Sequence, residues 1–402
     1  MGKKFDHPSV AEYQRLFSHD LAKDEKRGTV LIRDPVSDKF VPVEQMVAHF
    51  FYHLRDQAQT HAGFAVRDCV ITVPLFCDHF ERQAILDAAS IAGFNVLAII
   101  NDISAAALFQ ATQIADMSRP SNYIIYNSGA LGTSAALIRF KPEHKVGTVT
   151  ARSMEIVTTF TDVSLGGDLI NDRIAKFLIE KFESEHKGLR VTSGKPYNKV
   201  ILEAARLKKI LNANSKATAS LEDLVEYEGL SVPIVREDID GLLSDLAPRF
   251  QAPIQTIMSE ARVDFKDLTA ILMIGGNSRQ HFLLKSLKSN PDVERLLSVT
   301  LDPDESVLKG ASLYAARLHP SFKTHPTHFS DVLSSGLYVQ YFNADLVDPP
   351  VKTVELFHPA TSVDTTRNLF LKNMRKASID LFYSSSHAKI ASLKIDGHEK
   401  AM

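Results

Sequence analysis

Between Asp68 and Ala107 short apolar runs alternate with helical patterns, and few folds accommodate that order. Asp68–Val73 is a run rich in strand formers, stopped by Pro74. Asp78, with Glu81 three residues later, has the form of a capping box that opens a helix. Gly93 stands where that helix must end, because glycine takes the left-handed conformation cheaply. Phe94–Ile100 is a second buried run, and Asp102 opens another helix through Ala105–Ala107. A strand–helix–strand–helix order implies a parallel sheet with right-handed crossovers, so the class is α/β.

The pattern extends in both directions. Thr29–Ile32 reads as a strand, and Met46, Val47, Phe50, Phe51 and Leu54 recur at the spacing of an amphipathic helix. Tyr123–Tyr126 and Ser134–Phe140 read as strands joined by Asn127-Ser-Gly-Ala-Leu-Gly-Thr133, and a further strand near Glu155–Phe160 leads to Leu165-Gly166-Gly167. From Lys176 to Asp245 the pattern is mostly helical, with a short β-like stretch around Leu230–Val235. Ala270–Ile274 is a strand followed by Gly275-Gly276-Asn277-Ser278-Arg279 and a helix. Asp302-Pro303-Asp304-Glu305 predicts a helix with proline at its first position. A Pro/His-rich connector, His319 to His328, marks a boundary. Beyond it Leu337–Phe342, Asn368–Lys372, Ala377–Tyr383 and Lys389–Ile395 alternate as strands, the start of an all-β module.

Composition excludes several classes. With 402 residues, 46 basic against 48 acidic side chains and 45% hydrophobic content, the chain reads as two or three globular domains without a basic excess for nucleic acid. No apolar run reaches the length of a membrane-spanning helix. Two cysteines, Cys69 and Cys77, argue against a disulfide framework and read as core thiols.

Three glycine-bearing turns sit at strand ends: Gly129–Gly132, Gly166-Gly167 and Gly275-Gly276. Such turns let backbone N–H groups approach an anion, and a helix starting directly afterwards adds its dipole. Each alone is an ordinary turn; three together point to a phosphate-binding cleft, although none has the Walker or dinucleotide spacing.

Val70-Ile-Thr-Val-Pro74, Arg82-Gln-Ala, Ala92-Gly-Phe-Asn-Val-Leu97 and Ile100-Asn-Asp-Ile-Ser-Ala-Ala-Ala107 resemble the nucleotide-binding domain of the seventy-kilodalton heat-shock chaperones. So do Leu165-Gly-Gly167, Ile274-Gly-Gly-Asn-Ser-Arg279 and Asp302-Pro-Asp-Glu305, in the family's order, over roughly residues 40–320. The opening segment, Asn101-Asp102 and Arg206-Leu-Lys-Lys-Ile-Leu-Asn-Ala-Asn214 look most like the large hypoxia-upregulated branch of the endoplasmic reticulum. The resemblance implies the actin-like ATPase fold, two ribonuclease-H-like lobes with nucleotide between them. It divides the chain into 1–117 (the remainder of lobe I), 118–318 (lobe II), a linker at 319–330, and 331–402 as part of the peptide-binding β-sandwich.

It also assigns roles. Gly275, Gly276, Asn277 and Arg279 stand at the family's adenosine turn, where a guanidinium can stack on a purine. Lys208, Lys209 and Asn212, with Ala205 in place of an acid, occupy the helix on the other side of the base. Gly129, Gly132, Gly166 and Gly167 match phosphate-side turns, and Asp304 matches an acid near the cleft floor. ATP or ADP and Mg2+ are the implied cofactors. Asp102 matches the family's glutamate in the metal shell, acting through water.

The catalytic positions depart from the family. Asn127 replaces the first aspartate of the central turn, and phosphoryl transfer relies on charge stabilisation by a positioned divalent ion. In an ungapped alignment Gly132 replaces the catalytic threonine and Ser134 the second aspartate; a one-residue shift makes Thr133 that threonine. The family's first Asp-Leu-Gly-Thr-Thr strand pair and its catalytic lysine have no counterpart, so the chain is expected to begin after both, leaving a sheet edge open.

The expected function is an ATP-binding chaperone of the large heat-shock type in the endoplasmic reticulum lumen. Its partners would be unfolded polypeptides, a smaller heat-shock chaperone and co-chaperones. For these 402 residues no ATPase is expected. The alternatives are a non-hydrolysing scaffold of the same fold, a fragment without independent activity, and a sugar kinase, which the β-rich tail disfavours.

Overall fold

The computed structural model describes residues 1–396 apart from 18, 116–117, 147–148, 193, 320, 323–326, 347–348 and 372–373. Helix α1 (Pro8–Leu16) precedes a small antiparallel sheet of β1 (Leu21–Lys23), β2 (Val30–Arg33) and β3 (Phe40–Pro42). Helix α2 (Val43–Ala62) follows and lies over α3 (His79–Ile91), with Ala48 and Ala88 buried between them. Strands β4 (Asp68–Val73) and β5 (Asn95–Asn101) flank α3 and pair in parallel, as the crossover order requires. The capping box is complete: Glu81 N–H donates to Asp78 Oδ1 at 2.8 Å and Asp78 N–H donates to Glu81 Oε2 at 2.9 Å. Helix α4 (Asp102–Gln113) begins directly at the end of β5.

A six-stranded mixed sheet forms the centre. Strands β6 (Ser121–Ser128), β7 (Thr133–Val146) and β8 (Val149–Asp162) make an antiparallel meander, followed by α5 (Gly167–Glu185) and α6 (Lys195–Ala213). A hairpin of β9 (Lys216–Val225) and β10 (Glu228–Val235) leads to α7 (Arg236–Leu242) and α8 (Ala247–Ala261). Strand β11 (Leu268–Ile274) pairs in parallel with β6 and returns through α9 (His281–Lys288) and α10 (Pro291–Leu296) to β12 (Leu297–Ser298). Helix α11 (Ser306–Leu318) and β13 (Thr327–His328) complete the unit, in the sheet order β12-β11-β6-β7-β8-β13.

Both faces of this sheet are covered, which is why β6 and β7 read as continuous apolar runs rather than alternating ones. Ile124 and Tyr126 of β6 pack among Ile170, Leu178, Leu207 and Phe250 on one side. Ile125 and Tyr123 pack with Ile103 and Ala107 of α4 on the other. Burial of such side chains is worth about 1.5–3 kcal/mol each. Helix α11 crosses α4 at very short range: a Cβ at Gly310 would lie 1.7 Å from the Ala105 carbonyl oxygen, so only glycine permits this approach.

The last unit is a four-stranded antiparallel sheet, β15-β14-β16-β17, of β14 (Leu337–Asn343), β15 (Lys352–Phe357), β16 (Lys376–Tyr383) and β17 (Lys389–Asp396). It touches the first unit where His79 N–H donates to the Tyr383 hydroxyl at 2.7 Å.

Four expectations need correction. The segment taken as mostly helical contains β9; its run of Ala, Thr, Ser, Glu and Asp has low strand preference, and pairing with β10 overrides that. Residues 368–371 carry no strand, and residue 372 lies outside the described residues; the additional strand is β15, whose exposed residues mask its period. The helix after Asp302 starts at Ser306, not at Pro303, because Asp302 accepts from Asp304 N–H at 2.8 Å and Glu305 N–H at 3.0 Å and holds a turn there. The connector is not wholly a free linker: Thr327 and His328 pair with β8, while residues 320 and 323–326 lie outside the described residues.

Candidate functional site

Three chain reversals converge at the carboxyl end of the central sheet, where open α/β sheets bind ligands. They are the β6–β7 turn, the start of α5, and the 3₁₀ turn Gly276–Arg279 after β11. Gly275 needs to be glycine twice over: its φ is +84°, and a Cβ would lie 2.4 Å from the Ser128 carbonyl oxygen. Asn277, nearly buried, ties the turns together by donating through Nδ2 to Ser128 Oγ at 3.0 Å. Beneath the turn, Ser278 Oγ is buried with no hydrogen-bond partner among the described residues.

Between these elements lies a pocket of about 280 Å³. One wall is Gly276, Asn277, Arg279 and Gln280; the other is Lys208, Lys209 and Asn212 of α6, with Gly167 and Ala130 as the floor. The structure therefore brings together the residues that the resemblance assigns to the adenosine side. Asn212 is partly committed, since its Oδ1 accepts from His281 N–H at 2.6 Å and so caps α9. Arg279 forms an ion pair with Asp304 at the exposed rim, which places Asp304 beside the pocket rather than on its floor.

Lys208 is the least exposed of the three cations that line the pocket. Its Nζ donates to the Gly167 carbonyl at 3.0 Å, next to the start of α5. Burial pushes its pKa below the usual lysine range, with Asp168 opposing and Lys209 adding to the shift. A half-buried cation beside the positive end of a helix dipole attracts an anion.

The phosphate-side glycines are occupied differently. Gly129 N–H donates to the Gly132 carbonyl at 3.0 Å, closing the turn on itself. Gly167 N–H then donates to Gly129 O at 3.0 Å and Asp168 N–H to Ala130 O at 2.9 Å. Gly166 allows this approach, because a Cβ there would lie 2.2 Å from the Ala130 oxygen. The two phosphate-side turns are thus tied to each other by two backbone hydrogen bonds.

On the opposite side of the β6–β7 turn, Asn127 Nδ2 donates to Asp102 Oδ2 at 2.7 Å. Asp102 Oδ1 accepts from Ile103 N–H at 2.7 Å, and burial pushes the Asp102 carboxyl up to about 6 despite backbone hydrogen bonds that lower it. Ser134 is the cross-strand partner of Asn127 and shares its face. Thr133 is on the other face, wholly buried: its hydroxyl donates to the Leu165 carbonyl at 2.6 Å and meets Ser128 Oγ at 3.0 Å. Thr133 therefore holds the turn to the loop before α5 and does not line the cleft. Gly132 packs under Asp162 and Val163, where a Cβ would lie 2.9 Å from a carbonyl oxygen.

Magnesium does not fit this donor set. Asp102 brings one carboxylate whose oxygens both accept from neutral donors, and the neighbouring Asp331 carboxylate is spent on Asn101 and Ser104. Among the described residues no group of three or more His, Cys, Asp or Glu side chains could hold a metal ion. Asp162, the last residue of β8, is committed to Arg249 Nη2 at 2.7 Å.

A family model described as Hsp70 protein matches residues 1–391. The chain belongs to the Hsp70 family. Its fold is the actin-like ATPase fold of that family's nucleotide-binding domain, with the four-stranded sheet appended. It is 30% identical over 366 residues to "Hypoxia up-regulated protein 1" of Danio rerio, an alignment spanning 88% of this chain and 36% of the relative. The protein of the same name in Gallus gallus is 30% identical over 353 residues, covering 85% and 35%. A heat shock protein homolog of Naumovozyma castellii is 24% identical over 390 residues, covering 96% and 55%. The chain thus spans roughly a third to a half of these relatives. No helix among the described residues is long and apolar enough to cross a membrane.

Sequence reasoning missed two groups. Asp331 accepts from Asn101 N–H at 2.8 Å, Asn101 Nδ2 at 2.7 Å and Ser104 Oγ at 2.6 Å, directly beside Asp102. Arg82 donates to Asn101 Oδ1 and, through Nε, to the Cys77 carbonyl at 3.1 Å. Nothing local marks Asp331, whose partners lie far away in sequence. A larger cavity of about 480 Å³ between α1, β2 and Leu131 is mostly apolar, and its Lys3 is already paired with Asp78 at 2.8 Å, so the chemistry points to the smaller pocket.

Proposed function

We propose that this Hsp70-family chain is the nucleotide-holding part of a large heat-shock chaperone that binds the adenosine end of ATP or ADP and does not hydrolyse it. The observation that carries this is the joint presence of the pocket under Arg279 and Lys208 and the Asn127–Asp102 hydrogen bond where the metal shell would be. Hydrolysis needs a divalent ion and an oriented water, and the donor set supplies neither role. Nucleotide would then act as a structural ligand, favouring one arrangement of the elements around the cleft by its binding energy.

The whole protein is proposed to act on unfolded polypeptides and on a smaller heat-shock chaperone, as a nucleotide exchange factor, in the endoplasmic reticulum. The similarity to hypoxia up-regulated proteins supports the branch, and the four-stranded sheet supports a peptide-facing unit. The test is steady-state ATPase with magnesium, compared with a Lys208→Ala/Lys209→Ala control. Equal, background rates are expected; turnover well above the control overturns the reading. A second reading, a scaffold that binds no nucleotide, is favoured by the hydrogen bonds that tie the phosphate-side turns to each other, and calorimetry with adenosine, ADP and ATP separates the two.

A further inference from the structure

We infer that the pocket takes its adenosine ligand without a divalent cation, and that it engages one phosphate group, through Lys208, whatever the length of the phosphate chain. This deepens the nucleotide reading above and rests on it.

The metal half of the inference follows from the Asn127–Asp102 pair. Two carboxylates at this separation would repel and call for a cation between them; an amide in one place supplies a hydrogen instead of a second charge. The 2.7 Å bond from Asn127 Nδ2 satisfies Asp102 Oδ2, and the Ile103 N–H satisfies Oδ1. Ser134, sharing the face of Asn127, brings a hydroxyl and no charge. A magnesium ion would have to break the amide bond and gain a single carboxylate in return. Magnesium sheds its waters reluctantly and is ordinarily held by one or two carboxylates together with substrate phosphates, and here the one carboxylate at the position has both oxygens engaged.

The phosphate half follows from which donors are spent. The N–H groups of Gly129, Gly167 and Asp168 already donate to carbonyls of the two facing turns. Lys208 is different: one hydrogen of its ammonium goes to the Gly167 carbonyl, and an ammonium carries three. An incoming phosphate oxygen would relieve the desolvation cost that lowers the Lys208 pKa. The pocket volume, about 280 Å³, lies just under the usual range of ligand sites, which favours a small occupant. A longer phosphate chain would run past turns whose Gly129, Gly167 and Asp168 N–H groups are already spent, and so add little.

Two calorimetric series on the full chain test this, with adenosine, AMP, ADP and ATP titrated in magnesium and again in EDTA. AMP, ADP and ATP are expected to bind within about threefold of one another and equally in both buffers. Adenosine should bind roughly tenfold more weakly, the loss of one charge-assisted hydrogen bond. A tenfold or greater tightening of ADP or ATP by magnesium overturns the inference while leaving the nucleotide reading intact. Absence of binding by all four ligands overturns the nucleotide reading and the phosphate half with it.

The metal half keeps its own readout. Mn2+ titrated alone, followed by its paramagnetic resonance signal, is expected to find no site in the wild-type chain. Saturable binding near the protein concentration overturns the inference regardless of nucleotide. Asn127→Asp, shown by circular dichroism to be folded, is expected to acquire Mn2+ binding. A folded Asn127→Asp chain that still binds none overturns the claim that the amide is what closes the position.

Discussion

Asp331 reaches back over 230 positions of sequence to hold Asn101 by both carboxylate oxygens, one on the backbone N–H and one on the side-chain amide. Because Asn101 is fully buried, removing the carboxylate leaves its backbone N–H without a partner and its side-chain amide with only the Val332 carbonyl. Asp331→Ala is expected to cost about 1–3 kcal/mol, the desolvation penalty of unsatisfied buried groups. The urea midpoint and amide exchange at Asn101 measure it; an unchanged midpoint with unchanged exchange contradicts the tether.

Adjacent glycines should behave oppositely. Gly275→Ala meets the Ser128 carbonyl at a positive φ, whereas nothing lies within 4 Å of a Cβ at Gly276. The first substitution is expected to destabilise by about 1–3 kcal/mol, the second to stay within about 0.5 kcal/mol. Thermal unfolding of the pair decides it, and equal effects would contradict the geometry at the turn.

Lys208 sits where stability and ligand binding compete. Burial lowers its pKa, so the charged form costs the fold at neutral pH. Lys208→Met is expected to raise the melting temperature by a few degrees while weakening AMP at least tenfold, because a site tuned for a ligand is strained without it. A variant that loses stability, or binds AMP as before, would count against Lys208 as the phosphate ligand.

Asp162 should contribute to acid sensitivity. Burial works to raise its pKa, but hydrogen bonds from Arg249 and Ser164 outweigh it and hold the carboxyl below the usual range. A depressed folded pKa gives stability that is present above the unfolded value and lost as pH falls through the folded one. Arg249→Met should therefore flatten the stability loss below about pH 4. Urea unfolding of both chains from pH 6 to pH 3 checks this; parallel curves would contradict it.

The thiols are expected to be inert. Burial pushes Cys77 up to about 12 and Cys69 up to about 11, leaving almost no thiolate at neutral pH. Native chain at pH 7.5 should react with iodoacetamide far more slowly than chain in urea. Rapid alkylation of the native form would show that the strand around Val70 opens.

What could be read in the sequence divides along a physical line. Strand β4 and the α3 capping box were legible because their signals are local: a proline stop, an Asp and a Glu three residues apart. The pocket residues Lys208, Asn277 and Arg279 were legible through motif order. Strand β9 was not, because its alternation is carried by alanines and its pairing with β10 is tertiary. The face of Thr133 was equally hidden; a one-residue register change moves a side chain to the opposite side of a sheet, and only the paired strand fixes it. Asp331 was invisible for a related reason, since a carboxylate shows its purpose only beside its partners.

The contact at Gly310 has a further meaning for motion. Where α11 crosses α4, main chain meets main chain at Gly310, with the Ala105 carbonyl filling the space a side chain would take, and Val307, Ala311 and Tyr314 pack beside it. Interlocked side chains move between discrete packings and resist in steps. Gly310 sets the distance at which those side chains mesh, so the two helices are geared to one another. Whatever ligand occupies the cleft, a displacement of α4 is expected to carry α11 with it.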